Sequence, residues 1–205
     1  MGRVDGRCRR GCPVATGFLD GHRVLGFDLE TTGFDPRSDR IVQFALVGSD
    51  ADGSHLNTHS LVDPGIAIPI ESSRVHGIED GDVRGAGSFG DHIDSISRLI
   101  EGSVIVGHNV LAFDWRFMEV ECSRIGRDVP EPLAIVDTLV IARRFGVPGR
   151  HKLGVLCERY GIRLERSHRA DADAGATLLL LWKLMGAYPK KFKGGIEDFV
   201  ASLSQ

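Results

Sequence analysis

Three apolar runs of strand length follow one another in the first third of the chain: Arg23–Leu29 (RVLGFDL), Arg40–Gly48 (RIVQFALVG) and His55–Val62 (HLNTHSLV). The first two are separated by a turn-rich segment, Thr31–Asp39, that carries Gly33, Asp35 and Pro36. The next two are separated by Ser49-Asp50-Ala51-Asp52-Gly53, a hairpin signal. Strands joined in this way form an antiparallel meander. A sheet of that kind needs a cover for its apolar face, which the rest of the chain must supply.

The later sequence changes character. After a loop rich in Pro, Gly and Ser, apolar residues at 89, 93, 96, 99 and 100 recur with a helical period, which predicts a helix over Phe89–Ile100. Ser103–Gly107 (SVIVG) is short, apolar and bounded by glycines, as a buried strand is. A helix over Ala112–Ile125, a short fifth strand at Ala134–Val136, and helices near Thr138–Phe145, Lys152–Tyr160 and Ala170–Met185 follow. The expected architecture is α/β: a mixed five-stranded sheet, with an antiparallel meander of three strands plus parallel strands, flanked by helices. Residues 1–20 read as a basic flexible arm, 21–186 as the domain, and 187–205 as an accessory tail. The tail ends in an amphipathic piece around Ile196, Phe199 and Val200.

Composition narrows the function. At 205 residues, 42% hydrophobic and 26% charged, the chain has the makeup of one ordinary soluble domain. It needs neither disulfides nor a structural metal to hold a core. A net charge of −3 argues against bulk-charge binding to nucleic acid, though not against a nuclease with a local basic groove. Cysteines at 8, 12, 122 and 157 are too scattered for a disulfide framework, and a reducing, cytoplasmic setting is expected. Cys8 and Cys12, with only His22 as an obvious third ligand, do not make a zinc site. No apolar run approaches the ~20 residues of a membrane span.

Three places carry chemistry. Asp28 and Glu30 lie two apart on the first strand, so both carboxylates point to one face. Such a pair is retained when a cation sits between its members or one holds a proton, or when both are simply exposed at a strand end. Asp114 closes the segment GHNVLAFD and heads a helical row with Met118, Glu121 or Cys122, and Ile125. It is either an inward carboxylate with a partner or a first-turn acid complementing the helix dipole. In SHRADAD (167–173), Asp173 shares a stripe with Thr177, Leu180 and Leu184, while Asp171 is about 200° away. His168 lies before that helix, where a base that moves with substrate could sit.

Asp-x-Glu-Thr-x-Gly, then His-Asn-x-x-Phe-Asp, then His-x-Ala-x-x-Asp, in this order, resembles the DnaQ-like 3′–5′ exonucleases, and more narrowly their DEDDh group. The resemblance covers about residues 22–186. Val75-His76-Gly77-Ile78, Asp137-Thr138 and Leu153–Gly161 are also similar to family segments. Val110 departs from the small residue common after His-Asn, with an effect expected on packing.

The resemblance implies an RNase H-like sheet. It implies an acidic quartet of Asp28, Glu30, Asp114 and Asp173 holding two divalent ions, Mg²⁺ or Mn²⁺, and His168 as general base. Oxygen-only ligands suit such hard ions. It also implies substrate contacts from Thr31, Thr32, Phe34 and His76, with His108 and Asn109 alongside. His108 could equally cap a loop. The activity implied is 3′–5′ hydrolysis of single-stranded DNA to nucleoside 5′-monophosphates, in a proofreading or repair-like role that a DNA polymerase partner would fit. The alternatives are an RNA-trimming enzyme like oligoribonuclease or RNase T, and a non-catalytic nucleic-acid-binding domain. The basic run at Lys183, Lys190, Lys191 and Lys193 reads as a solvated end.

Overall fold

The computed structural model describes residues 17–164 and 169–203. Strands β1 (Val24–Thr31), β2 (Ile41–Ser49) and β3 (His55–Leu61) form the meander. Helices α1 (Ile70–His76) and α2 (Phe89–Ile100) follow, then β4 (Val104–Gly107), α3 (Asp114–Arg124) and β5 (Ala134–Asp137). Helices α4 (Thr138–Arg144), α5 (Leu153–Arg159), α6 (Ala170–Ala187) and α7 (Ile196–Leu203) complete the order. The sheet order is β3-β2-β1-β4-β5, antiparallel across β1, β2 and β3 and parallel across β1, β4 and β5. The expected mixed five-stranded sheet is therefore present.

Strand alternation assigns the two faces. Leu25, Phe27 and Leu29 of β1 join Phe44, Leu46 and Ile105 under α2 and α3, where Ile93, Ile96, Phe117 and Met118 are buried with them. The opposite face carries small residues. Ala45 of β2 packs on Ala170 and Ala174 of α6, and Gly26 of β1 lies directly beneath Ala174. With no side chain at Gly26 and only a methyl at Ala45, α6 runs close across the middle of the sheet, on the face on which Asp28 and Glu30 stand.

Two parts of the chain differ from expectation. Helix α1 falls in the stretch read as loop. Only His76 in it is buried, while Ile70 and Val75 are exposed, so it has no apolar stripe to read. At the ends, Phe18 and Leu19 of the expected arm and Phe192, Ile196 and Phe199 of the expected tail are buried in one cluster with α6. The Phe18 ring meets Phe192 at 5.4 Å and Phe199 at 4.9 Å, edge-on in both cases. Phe18 and Phe192 stand outside any periodic run, and their convergence on Phe199 of the amphipathic piece makes them core.

The turn between β1 and β2 is held to α3 by a buried acid. Glu121, 1% exposed, accepts from Arg40 Nε at 2.6 Å and from Arg124 Nη1 at 2.8 Å. Arg124 also donates to the carbonyls of Pro36 (2.8 Å) and Arg37 (2.7 Å). Replacing Glu121 by alanine should lower unfolding free energy by about 1–3 kcal/mol, because both partly exposed arginines keep access to water. A shift below ~0.5 kcal/mol in urea denaturation would show that the clamp does not hold this turn.

Candidate active site

The end of β1 gathers the acids. Each of Asp28, Glu30 and Asp173 offers a carboxylate oxygen, and these oxygens lie within 4.8 Å of one another. Asp173 is in the first turn of α6, whose entry is fixed by the Ala170 N–H donating to Gln43 Oε1 at 3.0 Å. Gln43 is the cross-strand partner of Glu30, and Ala45 that of Asp28, so the neighbouring strand puts only a methyl group beside Asp28. Asp114 opens α3 from the other side, and its Oδ1 accepts from the Leu29 N–H at 3.0 Å, between the two β1 acids. Asp171, on the far phase of α6, pairs instead with Arg169 at 3.2 Å. His168 lies outside the described residues, as do Cys8 and Cys12.

Asp28, Glu30 and Asp114 hold protons far more tightly than exposed carboxyl groups do. Burial raises Asp28 well above its ordinary range, and repulsion from Asp114, Glu30 and Asp173 adds to it. Glu30 is pushed up to about 8 by burial and then by Asp173 and Asp114. Burial likewise lifts Asp114 to about 7, against the opposing pull of its own N–H and that of Leu29. Buried acids that repel one another across a shared space fit a divalent cation, which would relieve both terms at once.

That fit has a measurable consequence. An acid whose folded pKa is raised binds its proton more tightly in the folded chain than in the unfolded one. Stability from Glu30 and Asp114 is therefore full below about pH 4 and lost as pH rises towards 7–8. Metal-stripped protein should melt at lower temperature at pH 8 than at pH 5. Mg²⁺ or Mn²⁺ at ~100 times its Kd should restore ~2.7 kcal/mol, roughly 5–11 °C, at pH 8 and less at pH 5. Scanning fluorimetry checks this, and equal melting temperatures with and without the ion at pH 8 would remove the cation from the cluster.

Beside the acids is a pocket of about 290 Å³ lined by Glu30, Thr31, Phe34, Val75, His76 and Phe113, among others. Phe34 is 87% exposed, and its ring lies 6.2 Å from that of Phe113. His76 is oriented by the Ile78 N–H donating to its Nδ1 at 3.0 Å, which leaves the proton of the neutral ring on Nε2. Thr31 follows a register shift in β1 and donates its hydroxyl to the Gly33 carbonyl at 2.6 Å.

The other expected contacts lie elsewhere. Thr32 is buried, its hydroxyl engaged with Asp39 at 3.2 Å and the Arg40 N–H at 3.0 Å, so it shapes the turn. The His108 ring bridges Thr138 Oγ1 at 2.9 Å and the His151 carbonyl at 2.8 Å, which makes it a tie between loops. Asn109 adopts φ 66°, a left-handed geometry that non-glycine residues rarely take, and its N–H donates to Asp137 at 2.9 Å. Val110 is fully buried, its Cγ atoms within 2.8 Å of where a Gly107 Cβ would stand, so its departure is one of packing. Sequence reasoning missed Val75 and Ser72 of α1 as pocket residues and Asp137 as the anchor of the 109–111 turn.

A sheet of this order with acids converging from β1, α3 and α6 defines a DnaQ-like exonuclease domain. The chain belongs to the RNase T exonuclease family, whose pattern matches residues 25–181. It is 32% identical over 168 residues to the DNA polymerase III subunit epsilon of Treponema pallidum, an alignment covering 80% of this chain and 77% of that protein. It is 34% identical over 161 residues to the PolC-type DNA polymerase III of Lacticaseibacillus paracasei, covering 77% of this chain and 11% of that one. This chain thus spans about a tenth of the PolC-type relative's length. The fold is shared with Escherichia coli exonuclease I in complex with a dT13 oligonucleotide, at a TM-score of 0.72 and 21% identity over 82% of this chain and 42% of that one. Among the described residues, no helix is long and apolar enough to cross a membrane.

Proposed function

We propose that this chain is a metal-dependent 3′–5′ exonuclease that removes nucleotides from the 3′ end of single-stranded DNA as 5′-monophosphates. Its nearest roles are those of polymerase proofreading or repair, with a DNA polymerase as the candidate partner. The observation that carries the reading is the convergence of Asp28, Glu30 and Asp173 within 4.8 Å, with Asp114 bonded to the strand between the first two. A binding module has no use for mutually repelling acids where a phosphate must approach.

When bound there, a pair of divalent ions would supply the positive charge that polarises the scissile phosphate and lowers the pKa of water. Asp28, Glu30, Asp114 and Asp173 would hold that charge. The pocket beside Glu30 is a fit for one terminal nucleoside: Phe34 and Phe113 give it an aromatic wall, Val75 an apolar one, and His76 a ring N–H. The Thr31 backbone, at the register shift, faces the 3′-hydroxyl end of that pocket in this reading. His168, one residue before the N-cap of α6, takes the proton of the attacking water at a ring nitrogen, the DEDDh assignment.

Incubating matched 3′-labelled DNA and RNA oligonucleotides with Mg²⁺ and Mn²⁺ tests the reading. Stepwise shortening of the DNA from the 3′ end is expected, with slower loss of the RNA. Faster trimming of RNA would reassign the substrate, and no shortening of either would end the proposal. His168→Ala should lower kcat by about 10²-fold and leave the metal-induced rise in melting temperature in place. An unaltered kcat would put the base elsewhere.

A further inference from the structure

Phe34 is a wall common to two depressions. One is the nucleoside pocket. The other is a groove of about 850 Å³ between the 108–109 turn, α4 and the segment that leads into α5. The charged side chains along it are Arg143, Arg150 and Lys152, and no carboxylate lines it, although the chain as a whole carries a net charge of −3. Among the described residues, none of these three cations forms an ion pair or a side-chain hydrogen bond, a state they share with other exposed cations such as Arg74, Arg84 and Arg144, so it is their gathering in one groove without a carboxylate that sets them apart. The groove's frame is built. The His108 ring ties the 108–109 turn to the His151 carbonyl, and His151 Nε2 in turn bonds the Val147 carbonyl at 2.6 Å. The buried acid Asp137 is occupied by the N–H groups of Asn109, Leu111 and Leu139 and forms no ion pair with these cations.

Unpaired cations along a groove that begins where the nucleoside pocket ends call for a polyanion passing over Phe34. We propose that this groove carries the phosphates of the nucleotides 5′ to the scissile one in single-stranded DNA, with the exposed Phe34 ring as a stacking step between the two sites. The assignment rests on the exonuclease reading for the strand's direction. Its consequence is that affinity grows with strand length through backbone charge, independently of base sequence.

Equilibrium binding separates this from the chemistry. Fluorescein-labelled dT12 is titrated in Ca²⁺ at several salt concentrations, and hydrolysis of the p-nitrophenyl ester of thymidine 5′-monophosphate is followed separately in Mg²⁺ and Mn²⁺. For R143Q/R150Q/K152Q the Kd should rise about tenfold, and the slope of log K against log salt should fall by about 2, close to 0.7 per phosphate contact. R150Q alone should reduce the slope by about 0.7, which keeps the test open should the triple variant not fold. K183Q/K190Q/K193Q, which removes three exposed lysines outside the groove, should keep the wild-type slope. An unchanged slope in the groove variants, or an equal fall in the lysine control, overturns the assignment. Failure of the wild-type protein to cleave the ester would instead count against the exonuclease reading, and the two failures are read independently.

Discussion

Asp28→Asn should lower exonuclease turnover by about 10³-fold or more, equivalent to ~4 kcal/mol of lost transition-state stabilisation, while the protein stays folded. The substitution keeps shape and volume and removes one negative charge from a place where burial and three neighbouring acids already oppose it. Without metal, the variant should therefore melt at a higher temperature than the parent at pH 8, although it is inactive. Loss of function with gain of stability separates a cation-holding acid from a structural one, which would lose both. Normal turnover in Asp28→Asn would remove the proposed centre altogether. A lowered melting temperature at pH 8 in metal-free buffer would show that the carboxylate is held by a partner inside the protein.

Gly26→Ala is expected to damage fold and activity together. A Cβ at this position would stand 2.9 Å from the Ala174 carbonyl carbon and closer still to its oxygen, and both are backbone atoms with no rotamer to yield. Helix α6 would have to move away from β1, at about 1–3 kcal/mol for overpacking of this kind. Asp173 immediately precedes Ala174, so the same movement carries its carboxylate away from Asp28 and Glu30. A displacement of ~1 Å there should reduce kcat by about 10²-fold. Chemical denaturation and single-turnover kinetics on one preparation would measure both. Full activity with normal stability would mean that α6 is not seated on β1 as described.

The legible part of the structure is the part with local period. Alternation in β1, the spacing of Phe89, Ile93, Ile96 and Ile100, and the phase of Asp173 with Thr177 and Leu180 all placed side chains on the faces they occupy. Asp28 and Glu30 share a face by that alternation, whereas in the sequence their joining with Asp114 and Asp173 is implied only by the resemblance to the DnaQ-like exonucleases. Short α1 left no trace, since its apolar residues face the nucleoside pocket and solvent instead of the core. Nor could spacing pair Glu121 with Arg40, 81 positions apart, or bring Phe18 to Phe199. Thr32 and His108 are polar residues in the motif segments whose side chains bond loop atoms, partnerships that spacing along the chain does not reveal.

The carboxylate of Asp137 receives N–H groups from the turn after β4 and from the start of α4 alike. Damage at the far edge of the sheet is thereby transmitted to the acid that opens α3, although the two lie in separate supersecondary units. An asparagine at 137 would turn one acceptor into a donor facing an N–H, and the segment delivering Asp114 would lose its register against Leu29. A residue at the edge of the sheet thus holds two supersecondary units at once, and substitution there is expected to cost more than its position suggests.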